Sequence, residues 1–274
     1  MDIGLTYFPT HETMNPVDVA TMAEGLGYES VFVTEHTHIP VSRRTPYPAG
    51  GDLPHEYWQT WDPFVACTAM ATATSTLKVG TAICLVNQHD PIVLAKTVAT
   101  LQHHSGGRFV FGVGPGWNVE EMNDHGIAFD ERFAQMRERV HAMRAIWTQD
   151  EASYDGDHVS FEPMWSWPKP GHDVPVLVAG WGPTVLDRVM DYGDGWIPIG
   201  GRGAVLKSRV EELQARAADA GRGPMDITIY QPGPTEQLLE EYADAGATRV
   251  LCALPHEDPD AMSARIDRYA AFIG

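Results

Sequence analysis

Thr34-Glu35-His36-Thr37-His38 sets a carboxylate beside an imidazole, the pairing that moves protons near neutral pH. The five residues follow a short apolar run and precede a long loop, which puts them at a strand end facing open space. His36 is the candidate for donating or accepting a proton, and Glu35 for aiming it. The same pattern fits a polar strand end whose histidines bond backbone carbonyls. His36-x-His38 also has metal-ligand spacing. A metallohydrolase would need further ligands on later strand ends. Those strands end in Gly180, Gly200, Pro232 and Pro255, with His256 the one imidazole nearby, so no metal is expected.

A second stretch, Arg108-Phe109-Val110-Phe111-Gly112-Val113-Gly114-Pro115-Gly116-Trp117-Asn118, opens as a buried parallel strand and leaves it through alternating glycines. Backbone without side-chain bulk can lie against a flat ligand, with Trp117 as an aromatic face and Asn118 as a polar hand. Two later turns, Ala179-Gly180-Trp181-Gly182-Pro183-Thr184 and Gly200-Gly201-Arg202-Gly203, each lead from a strand into a helix. Amides at such a turn, the positive helix end and Arg202 make an anion site, and two of them on adjacent late strands favour a phosphorylated ligand.

Eight short apolar runs carry these features, at 3–8, 30–34, 77–86, 108–114, 174–179, 195–199, 226–231 and 248–254, each followed by residues at helical spacing. The stripes Phe133, Met136, Val140, Met143 and Trp147, then Leu206, Val210, Leu213 and Ala217, then Met262, Ile266, Tyr269 and Ile273, read as core-facing helix sides. Asn15-Pro16, Asp62-Pro63, Asp90-Pro91 and Asp258-Pro259 each place an Asx N-cap before a proline at the first helical position. Eight such units predict a closed (β/α)8 barrel in one domain, 1–274, with a doubly wound open sheet as the alternative. Barrel sites form at the carboxyl ends of the strands. Two long connections, 36–61 and 154–173, are expected there: the first over the mouth, the second a small hairpin, their aromatics favouring a substrate lid.

The net charge of −18 in 274 residues argues against nucleic acid or an anionic membrane as partner. Phosphate must then be held by local amides and a few arginines. Cys67, Cys84 and Cys252 are widely spaced within apolar runs, as reduced core thiols of a cytoplasmic protein would be. No signal peptide and no membrane span is read in the sequence.

Gly80-Thr81-Ala82, Pro91, Ala95-Lys96, Thr100-Leu101, Ser105-Gly106-Gly107-Arg108, the block from Gly112 to Trp117, Arg132, Trp147 and Gly193-Asp194-Gly195-Trp196 occur in that order. Across nearly the whole chain this resembles the luciferase-like monooxygenase superfamily, in its coenzyme F420-dependent oxidoreductase branch. The resemblance implies a (β/α)8 barrel that binds a flavin or deazaflavin, with a small-molecule substrate, as a homodimer. It implies that Glu35 and His36 lie beside the ring and that a non-prolyl cis peptide at Ala82-Ile83 forms a bulge behind it. Gly116, Trp117 and Asn118 would line the ring, while Gly180, Trp181, Gly182, Gly200, Gly201 and Arg202 would meet the cofactor tail. Arg202 tilts the reading from FMN to F420. Glycines at 200 and 201 stand where relatives carry hydroxyls, and the 36–61 loop has no counterpart in the sugar-phosphate dehydrogenases of the superfamily, which argues against a phosphosugar substrate. The reading is an F420-dependent hydride-transfer enzyme. Its alternatives are an FMN-dependent two-component monooxygenase using oxygen, a flavin-binding protein without turnover and, most distantly, a zinc hydrolase.

Overall fold

The computed structural model describes residues 1–199 and 201–273, so Gly200 lies outside the described residues. The chain runs through β1 (Asp2–Tyr7), α1 (Pro16–Leu26), β2 (Ser30–Val33), α2 (Glu56–Gln59), α3 (Pro63–Ala73), β3 (Lys78–Leu85) and α4 (Pro91–His104). Next come β4 (Phe109–Gly114), α5 (Val119–Asp124), α6 (Arg132–Thr148), and the pair β5 (Ala152–Asp155) and β6 (Ser160–Met164). The remainder is β7 (Val176–Ala179), α7 (Val185–Tyr192), β8 (Gly195–Ile197), α8 (Gly203–Asp219), β9 (Asp226–Pro232), α9 (Glu236–Asp244), β10 (Arg249–Ala253) and α10 (Pro259–Tyr269).

Four of these helices start as the Asx-Pro pairs dictate. Asn15 accepts from Val17 N at 2.9 Å, and Asp62, Asp90 and Asp258 each accept from two first-turn amides. Eight parallel strands close in the order β1-β10-β9-β8-β7-β4-β3-β2, the predicted barrel. Alternation splits the strand side chains into two sets. Phe32, Val110, Leu177, Ala179, Ile197 and Leu251 fill the barrel interior, and a larger cluster packs strands against helices. The three predicted helix stripes fall in that outer cluster except for Phe133, which is half-buried against Arg132 and Arg188; Cys67, Cys84 and Cys252 are there too, as buried, unpaired thiols. No described helix is long and apolar enough to cross a membrane.

The closing seam carries a charge cluster. Arg249 on β10 is 3% exposed and holds both Glu29 oxygens at 2.8 Å, with Asp226 Oδ2 at 3.1 Å and Thr228 Oγ1 at 2.9 Å. β1, β9 and β10 meet here through Asp2↔Arg249 and Arg249↔Thr228.

The second long connection corrects an expectation. β5 and β6 form the antiparallel hairpin, but it does not cover the mouth. A helix that follows a barrel strand returns to the amino end, so a connection leaving α6 starts at the wrong face for a lid. The hairpin climbs the barrel flank instead: Glu138 of α6 accepts from His158 N and Val159 N, and Lys96 of α4 donates to the Trp167 carbonyl. Trp165 and Trp167 are 77% and 56% exposed.

Candidate active site at the barrel mouth

β2 ends in a buried His36 whose Nδ1 stands 2.9 and 3.0 Å from the two carboxylate oxygens of Glu121. With Nδ1–H donating to a carboxylate, the neutral ring keeps its open lone pair on Nε2, ready to take a proton. Glu121 is fully buried and turns both carboxylate oxygens to this ring nitrogen.

Glu35 was expected in that role, and its geometry is different. Its Oε2 accepts from Leu85 N at 2.5 Å and its Oε1 meets His89 Nε2 at 2.7 Å. Burial would lower the His89 pKa, but the hydrogen bond and charge of Glu35 outweigh it and raise it. Both residues lie just past the end of β2, where Glu35 turns to brace β3 and His36 turns to Glu121. His38 also turns away, to Asp124 at 3.0 Å.

Asn118 and Glu121 are placed by the same helix start. Asn118 is the N-cap of α5, and its Oδ1 accepts from Glu121 N at 3.1 Å. Its Nδ2 is buried with no protein partner. A buried amide donor without a partner is what a polar ligand edge would satisfy.

The 36–61 loop covers this site as expected. Glu120, next to Glu121, takes Arg44 Nε at 3.1 Å and Thr45 Oγ1 at 2.6 Å, and Thr45 Oγ1 accepts in turn from Val119 N at 3.3 Å. The loop then returns through Tyr47 and Tyr57, whose hydroxyls are 3.1 Å apart. The Tyr57 and Trp117 rings sit 5.3 and 5.9 Å from the His36 ring, and Tyr47 lies 6.1 Å from Trp117. Burial, then Tyr47, pushes the Tyr57 hydroxyl well above its usual value, so it stays protonated. His36 is therefore walled by aromatics, with Tyr47 and Tyr57 facing a cleft of about 420 Å³ that Phe8, Tyr230 and His256 also line.

On β3, the Ala82-Ile83 peptide is cis, and the register with β4 shifts between Thr81 and Cys84. Both residues stay partly exposed while the strand around them is buried. The β4 glycines accommodate this bulge. A Cβ on Gly112 would lie 2.0 Å from the Thr81 carbonyl oxygen, and one on Gly114 would lie 1.9 Å from Ile83 Cδ1. The space expected for a flat ligand is thus used by the bulge, and the bulge itself faces the mouth. Gly112→Ala should cost about 3 kcal/mol because only backbone movement relieves it, and Gly114→Ala less because Ile83 can rotate. Urea denaturation of both variants checks the order; a milder Gly112→Ala contradicts this account.

The turn after β7 is fixed from behind. The Gly180 carbonyl accepts from Trp196 Nε1 at 2.8 Å, and the Trp181 and Gly182 carbonyls accept from Arg209 at 2.6 and 3.0 Å. Since a trans peptide points N–H opposite to C=O, the Trp181 and Gly182 amides face away from these donors. The Gly180 amide is spent on the Ile197 carbonyl at 3.1 Å. The Trp181 indole stacks on Trp196 at 5.4 Å and fills the place of a Gly201 Cβ. Arg202 occupies the N-cap position of α8, exposed and with no side-chain cap bond, near enough to Tyr242 for its charge to act on that hydroxyl. The cation at the first turn is instead Arg188, with Nη2 3.9 Å from the Gly180 Cβ position and its guanidinium 4.2 Å from the Phe133 ring centroid. Sequence reasoning missed Arg188, although it lies four residues past Thr184 on the face of α7 that returns to the turn. It missed Glu121 too, although Asn118-x-x-Glu121 has capping-box spacing.

The luciferase-like monooxygenase family model matches residues 9–235. The chain belongs to the luciferase-like monooxygenase family. An uncharacterized protein of Mycobacterium tuberculosis (strain ATCC 25618 / H37Rv) is 41% identical over 277 positions, covering 99% of this chain and 98% of the other. The F420-dependent glucose-6-phosphate dehydrogenase of Amycolatopsis mediterranei (strain U-32) is 32% identical over 82% of this chain and 67% of its own. Among solved structures, an F420-dependent secondary alcohol dehydrogenase in complex with an F420-acetone adduct superposes with a TM-score of 0.77 at 20% identity, covering 99% and 98% of the two chains. This luciferase-like barrel is that of an oxidoreductase, and Arg188 and Glu121 are placed in it by geometry alone.

Proposed function

We propose that this luciferase-like protein is an F420-dependent oxidoreductase acting on a small organic substrate. The observation that carries the reading is the buried His36–Glu121 pair under an aromatic lid, one strand from the exposed Ala82-Ile83 bulge. The relative named as F420-dependent at 32% identity supports the choice of cofactor. The residues present fit such a group: a bulge to back its ring, the orphaned Asn118 amide at its polar edge, and the Trp181 and Gly182 amides with Arg188 for an anionic tail. When bound, the deazaflavin supplies hydride transfer at C5. The chain's part is to hold the substrate beneath Tyr47, Tyr57 and Trp117, to exclude water there, and to move the accompanying proton at His36 Nε2. The homodimer is part of the proposal. Val65 of α3 and Val93 of α4, on helices that pack together, are 66% and 63% exposed.

Titrating the apo-protein with F420 and with FMN in parallel, read by tryptophan fluorescence, tests the cofactor. Saturable quenching by F420, with FMN at least about tenfold weaker, is the expected result. Preference for FMN would move the protein to oxygen-dependent chemistry, and binding of neither would remove the reading.

A further inference from the structure

Two groups of ligand-type side chains converge among the described residues. The first, Glu35, Cys84 and His89, is a closed internal cluster. Burial and then Glu35 raise the Cys84 thiol well above its ordinary value, and Glu35 already holds Leu85 N and His89 Nε2. The second joins three loops at the barrel mouth. Glu12 follows β1, His55 belongs to the lid immediately before α2, and His256 follows β10.

In this group one oxygen, Glu12 Oε2, lies 3.3 Å from His55 Nε2 and 3.5 Å from His256 Nε2. Those distances are long for charge-assisted hydrogen bonds, which close to about 2.7–2.9 Å. They match the spacing of ligands around a shared ion: N and O atoms about 2.0–2.1 Å from zinc lie about 3.3–3.4 Å apart at the corners of a tetrahedron. The two imidazoles stand edge to face with centroids 4.5 Å apart, both offering Nε2 to the same oxygen. Thr10 anchors two of the three. Glu12 N donates to Thr10 Oγ1 at 3.1 Å, which also lies 3.1 Å from His256 Nε2 and would pass that nitrogen to an ion.

We infer that Glu12, His55 and His256 form a binding site for a divalent transition metal of the zinc class. Two imidazoles and one carboxylate supply three ligands and leave the fourth position to water. Because His55 is in the lid and the other two ligands are on the barrel, the ion clasps the lid over the mouth. Counting strand ends in the sequence finds only His256; His55 arrives from the lid, which strand spacing cannot place. The inference is independent of the flavin the barrel takes, and its test needs no turnover.

The experiment is equilibrium dialysis of chelator-treated protein against zinc, with the bound metal measured by elemental analysis. One saturable equivalent is expected, with at least about tenfold weaker binding in His55→Ala, His256→Ala and Glu12→Gln. Glu12 and His55 side chains are 46% and 50% exposed, so metal-free Glu12→Gln and His55→Ala should melt with the wild type, and melting curves of all three variants separate lost binding from lost folding. Cobalt in place of zinc should give the intense visible bands of a four-coordinate site. Trypsin cleavage of the lid after the exposed Arg44 should slow on adding zinc to the wild type and not to His55→Ala. Absence of a saturable equivalent, undiminished binding in the variants, or lid cleavage indifferent to zinc would each overturn the inference; the first would leave a metal-free cluster of two imidazoles sharing one carboxylate.

Discussion

His36→Ala lowers kcat by about 10²–10⁴-fold and leaves cofactor affinity within a small factor of wild type, on the reading that His36 handles the substrate proton. The expectation rests on where the ring sits. It is buried, bonded through Nδ1 to Glu121, and enclosed by Tyr57 and Trp117. None of these contacts belongs to the glycine turn proposed for the cofactor tail, which is why binding and turnover should separate. Glu121→Gln should lower kcat too, since a neutral amide can present its N–H to Nδ1 and reverse the tautomer. Glu35→Gln should instead lower stability, because its partners are Leu85 N and His89. Single-turnover rates with reduced cofactor, alongside fluorescence titration, read the two quantities apart. Unchanged turnover in His36→Ala would take His36 out of the mechanism.

Arg249→Met is the variant expected to cost most in stability, about 3–5 kcal/mol, because it removes the ion-pair partner of Asp226 and leaves Glu29 with Lys78 alone. Burial alone would push the Glu29 carboxyl up, but the hydrogen bonds and charge of Arg249, with Lys78, hold it down at about 2. A folded value below the unfolded 4.5 means the stabilisation is complete above about pH 4.5 and is lost as pH falls toward 2. The gap between wild type and Arg249→Met should therefore narrow across that window. Urea unfolding at pH 7 and pH 3 measures it; a gap that does not change with pH would detach Glu29 from the effect.

Legibility in the sequence followed the range of the interaction. The Asx-Pro pairs mark helix starts because capping is local, and every one of the four caps forms. The barrel strands follow from apolar runs buried on both faces. The partner of His36 could not be read the same way, since Glu121 lies 85 residues away and is brought in by closure of the barrel. Adjacency in sequence pointed to Glu35, but past the end of β2 it turns to Leu85 and His89 instead. The glycines of β4 were legible as missing bulk, but what occupies the space, Ile83 and the Thr81 carbonyl, is a property of the neighbouring strand. The Gly193-to-Trp196 motif carried much of the family resemblance, yet Asp194 serves the framework, accepting from Arg144 at 2.7 Å and Val176 N at 2.9 Å. A signature can identify a lineage through residues that never meet a substrate.

Glu120 and Glu121 are consecutive in the first turn of α5, and they face different tasks. One carboxylate holds Thr45 and Arg44 of the covering loop; the next holds His36. With one peptide unit between them, the two grips share a single rigid lever. A swing of that half-turn large enough to release the cover also withdraws the carboxylate from the imidazole, so an open chamber and an unaligned His36 are one mechanical state.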